Sequence, residues 1–90
     1  MRFERYTIEW DSLALKQLHK IKEGRLKEQI LDIIENEIAY DPLIGKPLTG
    51  SLRGARSYRF GVLRVLYRFF KDRLVIIILS VAHRKKAYQR

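Results

Sequence analysis

Ninety residues, 47% apolar and 32% charged, are enough for one hydrophobic core and not two, and they predict a single folded domain over 1–90 rather than a disordered segment. The absence of cysteine excludes disulfides and thiolate metal sites, and two histidines make a structural zinc site unexpected. The net charge of +9 is unevenly spread: the first 45 residues carry 7 basic and 9 acidic side chains, the remaining 45 carry 12 basic ones and a single acid, Asp72. A domain that loads its positive charge onto one half is built to meet a polyanion, and arginine outnumbers lysine there, which favours forked contacts to phosphate.

In chain order, residues 3–10 alternate Tyr6, Ile8 and Trp10 with Arg5, Thr7 and Glu9, the pattern of a half-buried strand. The charges within MRFERYTIEW are not those of a signal peptide. Asp11 or Ser12 can then cap a helix with Leu13, Ala14, Leu18 and Ile21 on its apolar face, and Gly24 is expected to break it. A second helix to about Tyr40 carries Leu26, Ile30, Ile33, Ile34 and Ile38 at helical spacing, with Glu28, Asp32, Glu35 and Glu37 opposite. Asp41-Pro42 ends it, and 41–54, with two prolines and three glycines, reads as a surface loop.

Arg56–Phe60, Leu63–Phe70 and 74–82 are rich in Val, Ile, Leu, Tyr and Phe and are separated by Gly61-Val62 and Lys71-Asp72-Arg73. They read as a three-stranded antiparallel meander. The expected fold class is α+β in the order β-α-α-β-β-β, a helical hairpin packed on one face of a mainly antiparallel four-stranded sheet, with a short C-terminal tail or helix. The apolar stretch at 74–82 is too short to cross a bilayer, so a soluble, cytoplasmic protein with no membrane contact is expected.

Gly61-Val62 suits a two-residue type II′ turn. In that register Phe60 faces Leu63, Arg59 faces Arg64 and Tyr58 faces Val65, so the two arginines share one face. Like charges directly opposite destabilise a sheet by a few tenths to about 1 kcal/mol. Two solvated arginines would be the ordinary reading, but no acid lies between Asp41 and Asp72 to compensate them. Convergence without a carboxylate points to a phosphate site.

The chain closes on His83-Arg84-Lys85-Lys86-Ala87-Tyr88-Gln89-Arg90. His83 stands at the end of the last strand and titrates near neutral pH when unperturbed. Tyr88 lies four residues beyond Arg84, one helical turn away. A two-residue turn at Lys71-Asp72 would bring Val81 and His83 to the arginine face; a three-residue turn would bring Ser80 and Arg84. Of the other cations, Lys46, Arg53, Arg56, Lys85 and Lys86 are the expected RNA-backbone contacts.

Arg59, Arg64, His83, Arg84 and Tyr88 include no carboxylate pair, thiol or metal-ligand set, so neither a metal nor another cofactor is expected. Such a group can still cleave RNA. The ribose 2′-OH attacks the adjacent phosphorus, needing a base, cations around the charged phosphorane and an acid for the leaving oxygen.

The stretches LTGSLRGARSYRFGVLRVLY (48–67) and SVAHRKKAY (80–88), with the strand-into-helix start YTIEWDSLALKQLHKI, resemble the RelE/ParE superfamily of toxin–antitoxin toxins over essentially the whole chain. The resemblance implies a cytoplasmic toxin held as a hetero-oligomer by a cognate antitoxin. The RelE branch cleaves mRNA in the ribosomal A site without a metal. Matched position by position, Arg59 and Arg64 are the hairpin residues that hold the phosphate, Arg84 the basic residue after the last strand, Tyr88 the terminal aromatic and His83 the histidine preceding that arginine. Ser57 departs from a basic residue found in well-studied ribonucleases, and the loop before the hairpin lacks a glutamate that some members use as base, which leaves His83 or Tyr88 for that role. The ParE branch poisons DNA gyrase and usually lacks the terminal set, so His83, Arg84 and Tyr88 favour RelE. A gyrase inhibitor without nuclease activity and a degenerate, non-catalytic RNA-binding member are the alternatives.

Overall fold

The computed structural model describes residues 4–83. Strand β1 (Thr7–Trp10) runs straight into helix α1 (Ser12–Lys20), whose cap is Asp11: its carboxylate accepts a hydrogen bond from the Leu13 N–H at 3.3 Å. After a short link, Gly24 is the first residue of α2 (Gly24–Ile33) and not the breaker of α1. The expected helix to Tyr40 changes character at Ile34. Residues Ile34–Ile38 form a π-helical turn in which the Ala39 N–H reaches the Ile34 carbonyl at 2.9 Å. The wider turn keeps Ile34 and Ile38, four residues apart, both fully buried.

The sheet has five strands, in the order β1-β5-β4-β3-β2, with β3 at Arg56–Phe60, β4 at Leu63–Phe70 and β5 at Val75–His83. Strand β1 pairs parallel to β5, and every other pairing is antiparallel. The additional strand is β2 (Lys46–Pro47), a two-residue edge strand within the expected loop. Proline removes a ladder donor, which an edge position tolerates.

One face of the sheet packs on both helices. Leu63, Val65 and Tyr67 of β4 and Ile76, Ile78 and Val81 of β5 meet Ala14, Leu18, Ile30, Ile33, Ile34 and Ile38 in one core. The alternate residues of β3, β4 and β5 therefore form the opposite face, which no helix covers among the described residues. Among the described residues, no helix is long and apolar enough to cross a membrane.

Candidate functional site

The β3–β4 turn fixes the site. Gly61 has φ 59°, which a side chain resists, whereas Val62 is not in the left-handed region, as a type II′ turn requires. The register is Phe60 to Leu63, Arg59 to Arg64 and Tyr58 to Val65. Val65 is buried in the core, and the Tyr58 hydroxyl donates to Glu37 Oε1 of the π-helical turn at 3.1 Å. Burial first, then the Glu37 carboxylate, raises the Tyr58 phenol above its ordinary pKa. With their neighbours pinned to the helix side, Arg59 and Arg64 stand across from each other on the opposite face.

Two cross-strand rows build the floor. Arg59, Arg64 and Ala82 make one; Lys46, Ser57, Leu66 and Ser80 make the other. Ser57, Leu66 and Ser80 are all buried. A cavity of about 380 Å³ opens over the rows, lined by Ile44, Lys46, Ser57, Tyr58, Arg59 and Arg64. Among the described residues, three cations and no carboxylate face it. A larger cavity, about 580 Å³, lies at the other end of β4 among Tyr6, Tyr40, Leu43, Phe69 and Leu74, and holds neither arginine.

The facing of β5 follows neither expected turn length. Phe70 pairs with Val75, leaving a four-residue turn that includes Leu74 at φ 55°. A register shift at Leu66/Tyr67 then leaves Leu79 as the extra residue, since Leu66 pairs with Ser80 and Tyr67 with Ile78. The two irregularities together bring Ser80 and Ala82 to the arginine face. The backbone of His83 pairs with Leu63, one step from the row of Arg59, Arg64 and Ala82. Arg84, Lys85, Lys86 and Tyr88, like the His83 side chain, lie outside the described residues.

Among the expected RNA contacts, Lys46 joins the arginine pair but Arg56 does not. Its Nε donates to the Gly45 carbonyl at 2.8 Å and its Nη2 to the Leu43 carbonyl at 3.4 Å, so it anchors the loop before β2. Arg53 is exposed beyond the cavity, and its carbonyl accepts from Arg68 Nη1 at 3.2 Å.

Sequence reasoning missed the anchor that holds Lys46. The Tyr67 side chain, fully buried, donates its hydroxyl to the Pro42 carbonyl at 2.6 Å and accepts from the Gly45 N–H at 3.0 Å. Burial pushes this phenol from 10.0 to about 12, so it stays neutral and able to donate at physiological pH. A Cβ at Gly45 would lie 2.6 Å from the Tyr67 hydroxyl and 3.0 Å from the Ser57 carbonyl. Gly45→Ala is accordingly expected to cost roughly 1–3 kcal/mol, read as a lower urea midpoint, through overpacking at this point. An unchanged midpoint would contradict the anchor.

Among the described residues, no group of three or more His, Cys, Asp or Glu is placed to hold a metal ion. Chemically, the arrangement offers a preorganised cationic cradle for a tetrahedral anion.

Residues 8–88 match a family profile described as the ParE toxin of the type II toxin–antitoxin system parDE. The chain is a toxin of the RelE/ParE superfamily. The toxin is 34% identical over 86 residues to Toxin RelG of Mycobacterium tuberculosis (strain ATCC 25618 / H37Rv), covering 94% of this chain and 98% of that one. Its fold superimposes on a chain of the toxin–antitoxin complex RelBE2 from the same species with a TM-score of 0.83 at 33% identity, covering 89% of the toxin and 92% of that chain. The isolated E. coli RelE toxin shares the fold with a TM-score of 0.72 at 21% identity, over 87% and 83% of the two chains.

Proposed function

We propose that the toxin is a ribosome-dependent, metal-independent mRNA endoribonuclease of the RelE type. The observation that carries this reading is the opposed pair Arg59 and Arg64, joined by Lys46 over a cavity that no carboxylate lines among the described residues. Repulsion among three such cations disfavours the empty site and favours one holding a phosphate, whose negative charge grows as the phosphorane forms.

In the proposed reaction the 2′-oxygen bonds to the adjacent phosphorus and the bond from phosphorus to the 5′-oxygen breaks. The products are a 2′,3′-cyclic phosphate and a 5′-OH end. The proton lost by the 2′-OH goes to a base, for which His83 and Tyr88 are the candidates, and the departing 5′-oxygen gains one. Arg84 adds a further cation to the phosphorane, and Lys85, Lys86 and the exposed Arg53 meet neighbouring phosphates. Arg56 acts through the loop it anchors rather than on RNA. The ribosome, as the resemblance to RelE toxins implies, presents the mRNA to a cradle too small to orient a long strand by itself.

The partner is an acidic antitoxin segment that covers Arg59 and Arg64 or displaces the tail. The RelBE2 relative was solved as a toxin–antitoxin complex, and the basic half of this chain gives such a segment its counter-charge. The match to a ParE profile supports a second reading, inhibition of DNA gyrase. Incubating purified toxin with programmed ribosomes in EDTA separates the two: new 5′-OH ends on ribosome-bound mRNA are expected. Intact mRNA together with gyrase-dependent DNA breaks would overturn the nuclease in favour of gyrase. Salt-dependent RNA binding without cuts would mark a non-catalytic member.

A further inference from the structure

Among the described residues, Ile44 is the one aliphatic side chain lining a cavity otherwise walled by Lys46, Ser57, Tyr58, Arg59 and Arg64, and it remains 39% exposed. A lone exposed isoleucine needs no explanation. The backbone around this one is different. Five hydrogen bonds hold residues 42–45: Ile44 N–H to the Asp41 carbonyl, the two of the Tyr67 hydroxyl to Pro42 and Gly45, and the two of the Arg56 guanidinium to Gly45 and Leu43. A buried phenol and a half-buried guanidinium are thus committed to fixing a loop whose exposed product at the cavity is an isoleucine. Its neighbour Leu43, 62% exposed, lines the other cavity instead.

A ligand that satisfies both walls carries an anion at one end and a flat apolar surface at the other. A nucleotide has that shape: phosphate toward the arginines, base face against the isoleucine. At about 380 Å³ the cavity is near the small end of ligand sites, room for one nucleotide rather than a stacked run. We propose that Ile44 is a specificity-determining platform for the nucleobase attached to the bound phosphate, favouring the larger ring face of a purine. The proposal rests on the nuclease reading only for its biological substrate; the nucleotide site itself is testable without cleavage.

Titration calorimetry with adenosine 3′-monophosphate, cytidine 3′-monophosphate and inorganic phosphate tests it on the free full-length toxin. The wild type should bind the adenosine nucleotide roughly 10-fold tighter than inorganic phosphate, the low end of what a small apolar contact discriminates, with the cytidine nucleotide between them. Ile44→Ala should bring both nucleotides to the affinity of inorganic phosphate and leave phosphate binding unchanged, while Leu43→Ala changes nothing. Equal binding of nucleotide and phosphate by the wild type, or unaltered discrimination in Ile44→Ala, overturns the proposal. Mapping cut sites on ribosome-bound mRNA with the same proteins keeps the two readings apart. Cutting by the wild type with an identical nucleotide profile in Ile44→Ala removes the platform and spares the nuclease; Ile44-dependent nucleotide binding with intact mRNA does the reverse.

Discussion

Arg64→Ala should lower mRNA cleavage by roughly 10²–10³-fold, the loss typical of removing one preorganised donor from a developing oxyanion. Arg64 lies on β4, held between β3 and β5, so its guanidinium starts from a rigid backbone. It is half-buried, whereas Arg59 opposite is exposed and free to meet solvent. Cleavage should therefore depend more on Arg64 than on Arg59. Lysine at this position keeps the charge but not the planar fork, and Arg64→Lys should fall between the wild type and Arg64→Ala. Full cleavage by Arg64→Ala with an unchanged melting temperature would remove this residue from the reaction.

Tyr67→Phe should be the largest single-atom loss of stability. The ring remains, but the Gly45 N–H and the Pro42 carbonyl lose their partner inside the protein, and both residues are buried. Each stranded group costs about 1–3 kcal/mol, so a total of about 2–6 kcal/mol is expected, a large share of what a domain of this size has. The same hydroxyl sets a pH dependence. Its pKa is raised from 10.0 to about 12 on folding, so the unfolded chain ionises first. The stability it confers is complete below pH 10 and is lost as pH rises from 10 to about 12, by roughly 2–3 kcal/mol. Urea unfolding at pH 8 and pH 11 should show the gap between wild type and Tyr67→Phe closing at the higher pH. A constant gap would mean that the phenol is not buried as described.

Much of this site could be read from the sequence because a two-residue turn leaves little freedom. Once Gly61 and Val62 make the turn, Arg59 must face Arg64, and alternation puts both opposite Tyr58 and Val65. The same alternation already places Arg56, three residues before Arg59, on the other face; positive charge alone nominated it for RNA. The facing of β5 was not legible. Leu74 takes up a left-handed backbone that leucine disfavours, while its side chain packs against the core, so tertiary contact overrides local preference. The extra residue at Leu79 has no mark in a run of Val, Ile and Leu. Strand β2 was hidden by its length and its proline. The Tyr67 anchor joins residues 22 and 25 positions apart, beyond the reach of periodicity or turn chemistry.

Arg59 and Arg64 together are expected to grip one phosphate. A crystal structure of the toxin with a short RNA carrying a single 2′-deoxy nucleotide at the cut, which cannot form the cyclic product, tests it most directly. The scissile phosphate should sit within hydrogen-bond distance of both guanidinium groups, with Lys46 beside it. A phosphate bound at Arg53, or anywhere that leaves both hairpin arginines in solvent, would contradict the account.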